Sequence, residues 1–491
     1  MTTKKFLKGI EWFVLLHPVL DFLTSLMVRF VDLPLTLGMI LRILFVGITL
    51  VYLAFFYNGK HKKAILIYLG ALVVYGLVSI GSNAYFNGLS SVFTNAKMFF
   101  KSFYFVFVLA FFYALYQQEG FRIKNKVLAI VFLEYAASII LSALTNTSFV
   151  TYKYAEGFVG WFYAASEVGP VIAMLAVPAL LLFIQSDRWY WKALIALSVC
   201  FPATYLGTKV PFIAVLGAIA LLAVMVILKT LLQKGHKKQW TAPVAMLLLI
   251  VLFIGLYQFD SPIKVNNSAM VDYHYDSNVT ENLDETKPSV QTPAPQPTPT
   301  PAPEPDPAPT PEPAPEPAPQ PEPKPTPAPD SEKTEIPSPS EVLKGKSKAY
   351  LVLNWLLSDR LYYFDGAITA FGESSLYRQA FGLGHQFQFA DGRTLIEMDF
   401  MALLINQGYL GLAFVLLPIL AFAIICIKRF FQQIRSFLQM TDCVLYAYAV
   451  LMGLFSAFLA GHVLVAPAVS IYVALLIVNL YAMLKEREQL Q

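Results

Sequence analysis

Arg42, Lys101, Glu167 and Lys209 stand in or at the edge of long apolar runs, and Arg360, Arg378, His385, Arg393, Glu397 and Asp399 precede another. An ionisable group in such a setting is costly to keep, so each is a candidate for function. The mixture of types points to a chemistry. Arg and Lys neutralise phosphate oxygens, Arg through a planar fork that matches two of them. A diphosphate that leaves gains charge in the transition state, which the same cations stabilise. A carboxylate nearby takes the proton from the attacking hydroxyl. Transfer from a lipid-linked diphosphate is the reaction that these groups fit, and no P-loop, HExxH, Cys-His or nucleophile-elbow pattern competes with it.

Each residue also has a plain structural counterpart. Arg42 and Lys101 are long enough to snorkel to headgroups. Glu397 and Asp399 suit the positive end of a helix dipole. His385 and His462 are ordinary packed or solvated histidines in that view. Glu134, and His17 with Asp21, read as interhelical hydrogen-bonding groups.

The elements that must position these residues are membrane helices. The 491 residues are 57% hydrophobic and only 14% charged, which excludes an ordinary soluble enzyme. Runs of spanning length recur at roughly 11–30, 37–57, 64–80, 98–117, 127–144, 167–185, 191–206, 210–228, 241–258, 401–427, 444–462 and 466–484, predicting an all-α polytopic fold of about twelve transmembrane helices. The first run is too long, and lacks the cleavage site, for a removed signal peptide; it reads as an anchor. Cys200, Cys426 and Cys443 suit neither a disulfide framework nor a zinc site.

Charge sets the expected orientation. With the N-terminus inside, twenty flanking Lys and Arg fall in the cytoplasm, against Arg29, Lys97, Lys153 and Lys209 in the short outer loops. That bias predicts cytoplasmic termini and an extracytoplasmic loop at 259–400, between a first bundle (1–258) and three last spans (401–491). The net charge of +4 is small and the loop is acidic, so nucleic acid is no expected partner. Every odd position from Pro293 to Pro329 is proline. Within a Pro-rich linker over 288–340, this stretch predicts a polyproline II rod about 110 Å long, read as a solvated spacer. Two short amphipathic helices are expected over 347–373, Ala349–Leu357 and Leu361–Phe371, the second with Leu361, Phe364, Ile368 and Phe371 on one stripe.

Several stretches resemble the O-antigen ligase and O-antigen polymerase superfamily, in the form found in Gram-positive capsule and teichuronic acid systems. They are His17-Pro-Val-Leu-Asp21, Gly160-Trp-Phe-Tyr-Ala-Ala-Ser-Glu167 and Gly207-Thr-Lys209, then Arg360 through Phe381-Gly-Leu-Gly384 and Glu397-Met-Asp-Phe to Gln407-Gly-Tyr-Leu-Gly411. The resemblance implies a C-type, metal-independent glycosyltransferase without a cofactor, whose donor is undecaprenyl-diphosphate-linked glycan. It suggests that Lys209 and Arg360 hold the diphosphate, with Arg378, Arg393 and Lys101 as further contacts and Glu167 and Arg42 in support. The chain departs from the family pattern at Ser166, where Asn is usual, and where Glu397 and Asp399 replace a frequent His. Glu397, Asp399 and His385 are thus alternative bases.

The expected function is repeat-unit polymerisation on the outer face of a bacterial cytoplasmic membrane. Partners would be membrane lipids and the pathway's flippase and chain-length regulator. The alternatives are ligation of finished glycan to a wall or lipid acceptor, lipid-linked glycan transport, and an anchor that displays the rod. Matching broken helices in two halves would mark a transporter, and no such pairing is visible.

Overall fold

A computed structural model describes residues 3–31, 35–149, 156–232, 240–267, 350, 360–385 and 397–489, excluding the side chains of 360–366 and 435. The Pro-rich linker, most of the expected 349–357 helix and Arg393 lie outside the described residues. The first bundle comprises α1 (Thr3–Leu15), α2 (His17–Phe30), α3 (Leu37–Val51), α4 (Lys62–Asn87), α5 (Ser91–Glu119) and α6 (Asn125–Leu144). It continues with α7 (Ala165–Gln185), α8 (Trp189–Tyr205), α9 (Lys209–Leu232) and α10 (Thr241–Gln258). After the loop come α11 (Arg360–Glu373), α12 (Leu376–Phe381), α13 (Asp399–Gln432), α14 (Thr441–Leu459) and α15 (Pro467–Glu488). All described secondary structure is helical.

Among the described residues, ten helices are long and apolar enough to cross a membrane, and α1 with α2, bent by 47°, adds an eleventh if the pair is one span. The expected stretch at 191–206 forms α8, which at 17 residues is at the lower limit of spanning length. The chain is a multi-pass membrane protein. Its centre is α7 and α15, buried along almost their whole length, while α4, α10 and α13 turn most of their apolar surface outward. Outward Leu, Ile, Val and Phe are what a lipid solvent permits. The three cysteines are free and buried among apolar neighbours.

Two local breaks shape the functional end. Pro18, at the start of α2, has no N–H to continue α1, so the chain bends beside His17. In α13, Gly408 has φ 71° and ψ −178°, a region closed to L side chains, and the helix is interrupted there. On α11, Phe371 is buried and Ile368 is 40% exposed, while the side chains of Leu361 and Phe364 lie outside those described. The inward pair is Ala367 and Phe371, which pack with Leu383 and Ile405 at the α13 break. Helical spacing alone does not fix the buried face, because the interrupted α13 supplies the surface.

Candidate functional site

A cavity of about 480 Å³ opens at the end of the bundle that carries the long loop. Asp21, Arg42, Lys97, Lys101, Glu167, His385, Glu397, Asp399 and His462 all line it. The first turns of α7, α13 and α15 reach it, as does Thr36 at the cap of α3. Helix N-termini carry partial positive charge and unpaired N–H groups, so their convergence favours an anion.

Arg42 is held from α2 and α6. Its Nε and Nη2 donate to His17 Nε2 at 3.3 and 3.0 Å. Nη2 also donates to Asp21 Oδ1, and Tyr135 OH donates to Asp21 Oδ2. Three helices are thereby tied together, which agrees with the interhelical role expected of His17 and Asp21. Glu134, on the same helix as Tyr135, has a buried Oε2 with no partner among the described residues.

Lys97 and Lys101 are four residues apart, so they share one face of α5. Glu167, in the first turn of α7, is the opposite charge acting most strongly on Lys101, with Lys97 and Arg42 adding like charge. Asp21 and Asp399 are already satisfied by protein partners. Lys97, Lys101, Glu167 and Glu397 complete the charged lining of the cavity.

The segment 381–385 runs beside the interrupted α13 as a strap. Leu383 N–H donates to Ile405 O at 2.8 Å and Gly384 N–H to Asn406 O at 3.3 Å. A side chain at Gly382 would overlap the Asn406 carbonyl, so this close approach requires glycine. Non-helical backbone packed away from water needs internal partners. Ser79 Oγ donates to Phe381 O at 3.0 Å, Asn87 Nδ2 to Leu383 O at 3.1 Å, and Tyr75 OH to Gln407 O. Asn95 Oδ1 accepts from His385 N–H at 3.2 Å. The strap delivers His385 to the cavity wall, where Gln407 Nε2 lies 3.4 Å from its Nε2. Burial, and then the Lys101 charge, lower the His385 pKa to about 4.

Asp399 is 1% exposed and its oxygens are taken. Oδ1 accepts from His462 N–H at 2.7 Å; Oδ2 accepts from Val463 and Leu464 N–H at 2.8 and 2.5 Å. It therefore holds the turn between α14 and α15, where His462 has φ 59°. Glu397, two residues earlier, is exposed at the rim.

Of the remaining candidates, Lys209 opens α9 and does not line this cavity. Arg378 lies on α12, donates to Leu383 O at 2.5 Å and stacks 4.8 Å from the Phe86 ring centroid. Burial lowers its pKa, and its contacts brace the strap. Arg360 is the first residue of α11, its side chain outside those described, as is Arg393. Thr24, Tyr135 and Asn406 join the cavity without having been singled out from sequence. Uncharged residues inside apolar runs carry no signal that separates them from packing; the i, i+4 spacing of Lys97 and Lys101 was one that did exist.

In comparison with known families, the model of the family described as O-antigen ligase like membrane protein matches residues 2–487. No curated protein and no solved structure matches the chain.

Proposed function

The chain belongs to the O-antigen ligase-like membrane protein family, and from that premise we propose that it is a glycosyltransferase acting on undecaprenyl-diphosphate-linked glycan at the outer face of a bacterial cytoplasmic membrane. The observation that carries this reading is the cavity where Lys97, Lys101 and several helix N-termini converge beside the carboxylates of Glu167 and Glu397. Lys101, with Lys97, takes the charge of the diphosphate as the glycosidic bond breaks. Glu397, at the accessible rim, accepts the proton of the attacking acceptor hydroxyl. Glu167 faces the same cavity as the opposite charge acting on Lys101. The diphosphate contacts expected of Lys209 and Arg360 are not part of this reading, since Lys209 does not line the cavity and the Arg360 side chain lies outside those described. No metal is needed, because ammonium groups and helix dipoles supply the positive charge.

Repeat-unit polymerisation is the preferred form. Purified protein supplied with a single lipid-linked repeat unit as its only glycan should then produce a ladder of lengthened lipid-linked products, with chelator present. Product that forms only when a separate wall or lipid acceptor is added would instead establish a ligase. The same donor chemistry serves both.

A further inference from the structure

We propose that Arg42 and Thr24 form a built subsite for a phosphate oxygen, fixed in place by His17, Asp21 and Tyr135; this rests on the diphosphate reading above. Arg42 is 95% buried, being 5% exposed, and two of its three guanidinium nitrogens are spent on His17 and Asp21. Nη1 donates to none of the described residues, and Arg42 lines the cavity. Nη1 is therefore the one edge of an otherwise anchored guanidinium that faces the cavity, where an anionic acceptor matches it.

A second observation is independent of Arg42. Thr24 Oγ1, on α2, is buried without a partner among the described residues, and Thr24 lines the same cavity. Gly38, one helical turn before Arg42 on α3, explains why both groups share one space. A Cβ at Gly38 would stand 3.2 Å from Arg42 Nη1 and would overlap Thr24 Oγ1. Its absence lets Thr24 Oγ1 lie against the α3 backbone beside Arg42 Nη1, which brings a hydroxyl and a guanidinium edge together at one wall of the cavity. A phosphate oxygen suits that pair of donors, with several lone pairs and a charge matched to Arg.

The other three residues act through Arg42. His17 Nε2 accepts from two of its nitrogens, which sets the plane of the guanidinium. Tyr135 occupies Asp21 Oδ2, which leaves Oδ1 for Arg42. They are positioning residues.

The test uses full-length protein in nanodiscs, with inorganic pyrophosphate as the calorimetric probe and the donor KM in transfer assays. Thr24→Val should weaken pyrophosphate about two- to tenfold, as loss of a neutral hydrogen bond does. Arg42→Gln combined with Asp21→Asn, which strands no buried charge, should weaken it about ten- to a hundredfold. Tyr135→Phe should raise the donor KM several-fold while kcat and the acceptor KM stay unchanged, a split that general loosening of the fold would not give. If Lys101→Ala loses pyrophosphate but Thr24→Val and the double variant bind like wild type, the subsite is refuted and the diphosphate reading stands. If folded wild type binds no pyrophosphate, both fall.

Discussion

Glu397 and Asp399 are two residues apart and have different tasks. Asp399 accepts from three consecutive backbone N–H groups, so removing its charge leaves buried donors unmet, at about 1–3 kcal/mol each. Thermal melting should therefore show Asp399→Ala strongly destabilised. Glu397→Gln should melt like the parent yet lose transfer by about a hundredfold or more, as expected for a general base. A destabilised Glu397→Gln, or an active one, would remove that role. His385 offers a further check through pH. Its pKa is lowered to about 4 from an ordinary 6.5, so below pH 6.5 the unfolded chain binds a proton that the folded one refuses. Its contribution to stability is full above pH 6.5 and is lost as pH falls toward 4. Denaturation midpoints measured between pH 7.5 and 5 should fall more steeply for wild type than for His385→Gln. The types of these residues singled out groups that line one cavity, but whether a carboxylate faces that cavity or the backbone depends on loops that residue type does not fix.

The strap and the interrupted α13 are the elements that turn a bundle end into a site. Both depend on glycine: Gly382 for close approach to Asn406, Gly408 for its backbone conformation. Gly408→Ala should cost about 1–3 kcal/mol, and melting would read this directly; it should also lower transfer, because His385 and Asn406 move with the segment. Unchanged stability and activity would mean that the break is incidental. Phe381-Gly-Leu-Gly-His385 was visible in sequence as a departure from helical spacing. The break at Gly408 was not, because a lone glycine in a long apolar run is compatible with an unbroken span. The surface that buries Ala367 and Phe371 was not visible either, because Leu383 and Ile405 supply it from farther along the chain.

At the scale of the molecule, hydropathy predicted the all-helical membrane fold, because apolar length is a direct requirement of the bilayer. It could not show that α7 and α15 are central, since lipid-facing and buried helices are similarly apolar. Charge bias predicts that the cavity end faces outward. That orientation has a direct chemical check. Leu89, 83% exposed at the cavity end, and Asp187, exposed at the opposite end, are suitable positions for single cysteines, since the native three are buried. A membrane-impermeant maleimide added to intact cells should label Leu89→Cys and spare Asp187→Cys. The reverse pattern would place the cavity in the cytoplasm.

The most direct measurement is the yield of free polyprenyl diphosphate alongside lengthened glycan, from purified protein given a lipid-linked oligosaccharide. Wild type should release one diphosphate for each glycosidic bond formed, with chelator present, and Lys101→Ala should lose both products together by about ten- to a hundredfold at unchanged protein level. Glycan lengthening without release of diphosphate, or full release by Lys101→Ala, would contradict transfer from a diphosphate held in this cavity.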